Sequence, residues 1–485
     1  MLYTLTLLLC QSSDLKQALG AAEQKATAGD YAGAVAVLEA AGAANSKDAP
    51  ALTALGTYLL RDAEAKAAAG TLSGLDVVDA FVAAADVLKK AAAAPGAAPA
   101  AFVNWSEALL NAGDFRNAAR AVEDGLKQHK DALALLLQQG RVHTAQAGQA
   151  AGARQIEAYQ AADAAFLRAM QQHQGDAVSC VRHGEVQVLL SRSGDAEKRL
   201  DEARSAWREA MRRDIAAVDL TAMAQWLGNT AAADLLAEAN QGSEDATRLW
   251  YQGVFELNAE PPRWEAAKEH LERVLALNPA FTNTWYYLAS GAMAAGQRLQ
   301  AGGQEDAART EYAYAARAWA RYLKDFGDIQ IQSMVALEDK GAAFVEQVRW
   351  LEGIALASDA AEDAAGLARW RTQARPQDPE AWNNLGFFLR EAGRPEESLS
   401  AYHQALRLAP DDPQILNDTA VMLHYYLKRD DAEATRLYEK ARASAEKILK
   451  EPGQRTEEQL QLVRIALRDA NNNLRRLQAG DRTNN

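Results

Sequence analysis

Cysteine is nearly absent: Cys10 and Cys180 are the two in 485 residues. That is too few for a disulfide framework or a four-cysteine zinc site within one chain. Aromatic residues make up only 7% of the chain, and runs of β-branched residues are scarce, which argues against a sheet-rich fold. No proline stands between Pro99 and Pro261, so nothing in that stretch interrupts a helix. The seven histidines are scattered, and neither H-E-x-x-H nor G-x-S-x-G nor a Gly-rich phosphate loop occurs. Cys180-x2-His183 offers two metal ligands where zinc takes four, or three and a water, and its place beside Gly184 assigns it to packing. No catalytic residue, metal or cofactor is therefore expected. Cations are outnumbered, with 52 Lys and Arg against 65 Asp and Glu for a net charge of −13. A phosphate-binding surface needs clustered cations, so nucleic acid is not an expected partner.

What the chain has in abundance is small apolar residues. Apolar content is 49% and leans on Ala, the strongest helix former, so the expected class is all-α. Length alone suggests about three domains, but a stack of repeats grows outside that scale.

One stretch sets the scale. In PEAWNNLGFFLREAGRPEESLSAYHQALRLAP, Pro379 to Pro410, Trp382, Leu385, Gly386 and Leu389 share one face of a first helix. Ser398, Tyr402 and Ala405 share a face of a second helix, and Pro410 closes the unit. This resembles the tetratricopeptide repeat, with its W-x2-L-G-x2-Y and A-x3-F elements and terminal Pro on a 34-residue period. The resemblance implies a right-handed α-solenoid of antiparallel helical hairpins, because one such unit cannot bury its apolar face alone.

The same spacing recurs along the chain. Leu416 takes the Trp place in a following unit, whose second helix (Ala434, Tyr438, Ala441) comes after a turn two residues longer. Upstream, Trp285 and Leu288 precede Ala308 and Tyr312, and Ala267, Leu271 and Val274 precede Pro279. In the N-terminal half, Leu52 to Leu59 and Phe102 to Leu109 fit first helices, and Ala34, Val122, Phe166 and Trp207 sit in second helices. Ala145–Gln155 reads as an insert. Trp382, Trp285, Trp105 and Trp207 fall on signature positions and are expected in the core.

This ruler divides the chain into an apolar tail or signal-like segment (1–14) and an N-terminal array (15–216). A degenerate helical region (217–245), central repeats (246–327) and a second degenerate region (328–378) follow. C-terminal repeats (379–450) and an amphipathic capping helix (455–478) complete it.

In the family, first helices line the concave face of the superhelix, and residues there that do not serve the repeat core contact a bound peptide. Carried over position by position, the resemblance implies Asn383, Asn384, Phe387 and Arg390 in the clearest unit. The next unit offers Asn417, Asp418, Val421 and His424; earlier ones offer Tyr286 and Tyr287, Gln138 and Arg141, and Asn104 and Glu107. Asn384 and Asn104 share one repeat position, where family members hold a ligand backbone. A side-chain amide both donates and accepts, so it suits an extended peptide of any sequence. The Lys residues of the family's carboxylate clamp are missing, so a C-terminal carboxylate is not the expected ligand.

The expectation is a non-catalytic, bacterial-type scaffold or adaptor in the cytoplasm with a protein or peptide partner. An alternative stands beside it. The stretch MLYTLTLLLC is too short for a bilayer, which takes about 20 residues, but within reach of a signal-peptide core. Leu7-Leu8-Leu9-Cys10 partly resembles a bacterial lipoprotein cleavage box, though Leu9 is large and no Lys or Arg precedes Cys10. Lipidation of Cys10 would make the chain a cell-envelope assembly lipoprotein on the periplasmic face of a membrane.

Overall fold

A computed structural model describes the backbone of residues 2–335 and 339–483 and the side chains of 14–334 and 341–483. Among the described residues there are 23 α-helices and no strand. The chain divides into two compact units, residues 1–241 and 242–485.

In the first unit α1 (Leu2–Thr27) pairs with α2 (Tyr31–Ala40), and α3 (Ala49–Ala68) with α4 (Leu75–Ala93). Next come α5 (Pro99–Asn111) with α6 (Phe115–Gln128), and α7 (Leu133–Gly148) with α8 (Ala153–Gln172). The unit ends with α9 (Val178–Ser191) against α10 (Ala196–Asp214), then the short α11 (Leu220–Leu227) and α12 (Asn229–Ala239).

The second unit repeats the plan. The helix α13 (Ala246–Leu257) pairs with α14 (Trp264–Leu277), and α15 (Thr284–Ala301) with the 31-residue α16 (Glu305–Val335). Then α17 (Asp339–Ala357) pairs with α18 (Ala361–Ala374), and α19 (Pro379–Glu391) with α20 (Pro395–Leu408). Finally α21 (Pro413–Val421) pairs with α22 (Asp431–Lys450), and α23 (Glu457–Gln478) packs on both.

Local chemistry explains where these helices begin. Asp48, Asp378 and Asp412 cap α3, α19 and α21 through their carboxylates, each with Pro in the first turn. Asp satisfies first-turn N–H groups, and Pro has no N–H to leave orphaned. Thr456 and Gln459 form a reciprocal capping box at the start of α23.

Several hairpins close by a plug in a hole. A Cβ on Gly386 would stand 2.8 Å from the Tyr402 ring, so only Gly lets the fully buried Tyr402 lie against α19. The same fit joins Gly184 to Trp207, Gly140 to Phe166 and Gly56 to Leu88. Polar groups seal other ends: the Arg213 guanidinium donates to the carbonyls of Met170, His173 and Asp176, where α8 stops.

The all-α hairpin class is what composition and spacing implied, but several details differ. The extra residues of Ala145–Gln155 lengthen the helices on either side: α7 runs through Gly148, and α8 starts at Ala153. Residues 75–93, which carry no aromatic at the signature place, form the full partner helix of α3 through Phe81, Ala84 and Leu88. The two extra residues after α21 are absorbed by a π-helical turn, Met422–Leu427. Trp382 is only half-buried, its indole N–H donating to the Pro376 carbonyl at 3.0 Å. Trp105 and Trp285 are half-buried too, whereas Trp207 is 1% exposed.

Candidate functional site

The first-helix candidates fall into four places. In the first unit, Asn104 on α5 donates from Nδ2 to the Thr57 hydroxyl on α3 at 2.7 Å. Gln138 on α7 donates to Ser106 on α5 at 3.2 Å and is only 2% exposed. Arg141 is exposed and bridges Gln138 and Glu107. These side chains tie each first helix to the one before it. Gln138 is thereby corrected: its buried amide is spent inside the stack.

In the second unit the matching Asn384 makes the same kind of bond backwards, to Glu352 on α17. Glu352 and Arg371 form a bidentate pair at 2.7 and 3.1 Å, 1% and 3% exposed at their side chains. Burial pushes the Glu352 carboxyl up to about 7, against the pull of the Arg371 guanidinium and the Asn384 amide. A carboxyl raised in the fold favours the protonated native state, so its contribution is complete below the unfolded value and is lost as pH rises through about 7. Urea midpoints of the wild type and Glu352→Gln across that window should therefore draw apart, the wild type losing relative stability toward high pH. A constant difference would contradict this.

The third place is the end of α19 and the start of α21. Asn383, Phe387 and Arg390 lie on one face of α19, spaced by about a helical turn. The Arg390 guanidinium sits 4.8 Å from the Phe387 ring centre and 5.5 Å from that of Tyr426, and pairs with Glu391 at 2.8 Å. Asp418 lies close enough for Arg390 to lower its carboxyl, although burial dominates and pushes it up to about 6. The structure brings Phe387, Arg390 and Asp418 together. Asn383 is 7% exposed, and its Oδ1 has no hydrogen-bond partner among the described residues.

Two neighbours require correction. Asn417 is 7% exposed because α23 covers it, with Asn473 donating to its Oδ1 at 3.1 Å. His424 is fully buried in the π turn, where Nε2 donates to the Asp481 carbonyl at 2.8 Å and Nδ1 accepts from the Tyr438 hydroxyl at 3.3 Å. Burial holds the imidazole below its ordinary value, which suits that acceptor role. Neither side chain is open to a partner.

Spacing also passed over the Tyr402 hydroxyl, which lies near Arg390 and Asp418 and has no partner among the described residues. An unsatisfied buried hydroxyl carries a desolvation penalty, so Tyr402→Phe should stabilise the chain by about 1 kcal/mol in urea denaturation. A loss of that size would mean that the hydroxyl is hydrogen-bonded in solution.

Tyr286 and Tyr287 stand apart from these, at the start of α15, in contact with Trp250, Trp319 and Tyr322. Trp319 and Tyr322 escaped the sequence reading because α16 runs far past the length of a repeat helix. Cys180 and His183 serve packing: the buried thiol donates to the Asp176 carbonyl, and His183 Nδ1 donates to Asp163 at 2.7 Å. The side chain of Cys10 lies outside the described residues.

Compared with known families, residues 379–412, the hairpin of α19 and α20, match the tetratricopeptide repeat. No curated protein matches the chain. Among solved structures, the TPR domain of P58(IPK) is 16% identical and covers 87% of this chain and 98% of its own, with a TM-score of 0.20. The APC/C hetero-tetramer Cut9–Hcn1 is 12% identical and covers 97% and 99%, with a TM-score of 0.24. Superpositions at those scores carry no argument. The repeat match and the succession of helical hairpins do: the chain is an all-helical repeat protein that contains a tetratricopeptide repeat.

Proposed function

We propose that this chain is a non-catalytic scaffold that holds an extended peptide or a partner's surface against the first-helix face of its repeats. Repeats of this kind serve protein–protein interaction generally. The observation that carries the reading is the α19 face. There the half-buried Phe387 holds the Arg390 guanidinium 4.8 Å from its ring centre. Such an aromatic–guanidinium stack on a first-helix face suits the side chains and carbonyls of a peptide, whereas Asn383, 7% exposed with its Oδ1 buried, is withdrawn from that surface. Asn384, Asp418, Tyr286, Tyr287, Asn104 and Arg141 remain on the proposed surface, most of them partly committed within the stack. Protein is the proposed partner, and the net charge of −13 disfavours nucleic acid.

A photo-crosslinking residue at position 387 should capture a partner in cells, whereas the same residue at exposed position 436 on α22 should not. Equal capture at both, or capture at 436 alone, would reject the first-helix face.

No helix among the described residues is long and apolar enough to cross a membrane. The lipid-anchored alternative rests on the Leu7-Leu8-Leu9-Cys10 sequence. Incorporation of labelled palmitate that is lost in Cys10→Ser would establish it; no incorporation would remove it.

A further inference from the structure

In the first unit α4 packs on α3 and α5 with Phe81, Ala84, Leu88 and Ala91 buried. Its opposite side is turned to solvent and is not purely polar. Leu75 is 79% exposed and Val82 42% exposed, and Val78 beside them is half-buried. A single exposed aliphatic residue is ordinary on a protein surface, but these are aligned. Leu75, Asp79, Val82 and Asp86 follow one another at intervals of four, three and four residues, which sets them on one line of the helix.

The charge along that line is of one sign until its far end, where Lys89 and Lys90 follow. Asp76, Asp79 and Asp86 are exposed, and none of the three pairs with a cation among the described residues. Asp76 stands in the first turn, where the helix dipole accounts for it. Asp79 and Asp86 lie deeper, where that field has faded and Asp is a poor helix former, so local structure does not account for them. An anionic lipid surface or a nucleic acid would be repelled by such a face. Cations carried beside an apolar stripe would match it.

We propose that this side of α4 is a docking surface for a basic amphipathic helix of a partner protein. The partner's apolar stripe lies along Leu75 and Val82, and its Lys and Arg residues meet Asp76, Asp79 and Asp86. The line from Leu75 to Asp86 spans about 16 Å, so a partner helix of about three turns covers it. The surface belongs to a second helix, so the inference goes beyond the first-helix face and does not depend on it.

The test is calorimetric titration of the whole chain with a capped amphipathic helical peptide of Leu and Lys. The same peptide with Glu in place of Lys, and a scrambled Leu/Lys peptide without the apolar stripe, serve as controls. The Leu/Lys peptide should bind with an affinity that falls as salt is raised, and neither control should bind. Leu75→Ser with Val82→Ser, and separately Asp79→Lys with Asp86→Lys, should each weaken binding about tenfold. Glu439→Lys with Glu446→Lys, at exposed positions on α22, changes the net charge equally and should leave binding as it is. None of these replacements touches a buried side chain. No binding of the Leu/Lys peptide overturns the proposal. Equal loss in the α22 variant, or binding of the scrambled peptide, overturns it too by reducing the effect to bulk charge. Sedimentation that shows the free chain self-associating through Leu75 and Val82 gives the face to a second copy and also overturns it. Crosslinking at position 387 judges the first-helix reading separately, so either can fall alone.

Discussion

Replacing Glu352 by Ala should destabilise the chain by about 3–5 kcal/mol, because it leaves the Arg371 guanidinium buried without its partner. Arg371 is 3% exposed at its side chain, its next carboxylate is Asp378 at 3.7 Å, and Asp378 already caps α19. Asn384 loses its acceptor in the same variant, so the damage spreads from α17 and α18 into the first helix of the matched repeat. The pair itself is not expected to be the source of stability, since removing two charges from water offsets most of their attraction. Replacing both partners by apolar residues, Glu352→Leu with Arg371→Met, should therefore recover most of the loss. Urea denaturation of the two variants decides the matter: a double variant as unstable as Glu352→Ala would show that the pair is worth more than its burial costs.

That network lies in residues 328–378, where the sequence offers no clear repeat signature. Glu352 and Arg371 are nineteen positions apart on different helices, and without a ruler to align α17 with α18 nothing marks them as neighbours. The hairpins themselves were legible because their signals are local. Asp before Pro starts a helix, Gly386 and Tyr402 form a hole and a plug, and Trp382 and Leu385 mark a face. Depth was less legible. Position-by-position reading gives the direction of a side chain but not what later folds over it. Asn417 carries the right position and is covered by α23. The wider π turn changes the residue-to-angle relation after Val421, and His424 turns into the core as a result. Asn104 and Asn384 share a place in the repeat, and both bond back to the preceding first helix. The family position thus serves the stack as well as any ligand.

Depth also sets the second large effect. Trp207→Ala should destabilise the chain by about 3–5 kcal/mol, through lost transfer energy and the cavity left behind. Trp207 is 1% exposed and its ring presses on Gly184, where a Cβ would stand 2.7 Å from the indole. Along α10 its buried neighbours are Ala203, Ala206, Ala210 and Met211. Gly and Ala have no side chain to swing into the vacated space, and Met211 can fill only part of it, so a cavity remains. Trp382 occupies a signature position in its own repeat, yet it is half-buried and its N–H bonds to a carbonyl only six residues away. Trp382→Ala removes less apolar area from the interior, and its loss should be clearly smaller. Thermal or urea denaturation of the two variants side by side tests whether burial or repeat position governs. Equal losses would mean that a signature tryptophan matters for its place in the repeat whatever its exposure, and the burial argument for Trp207 would fail with it.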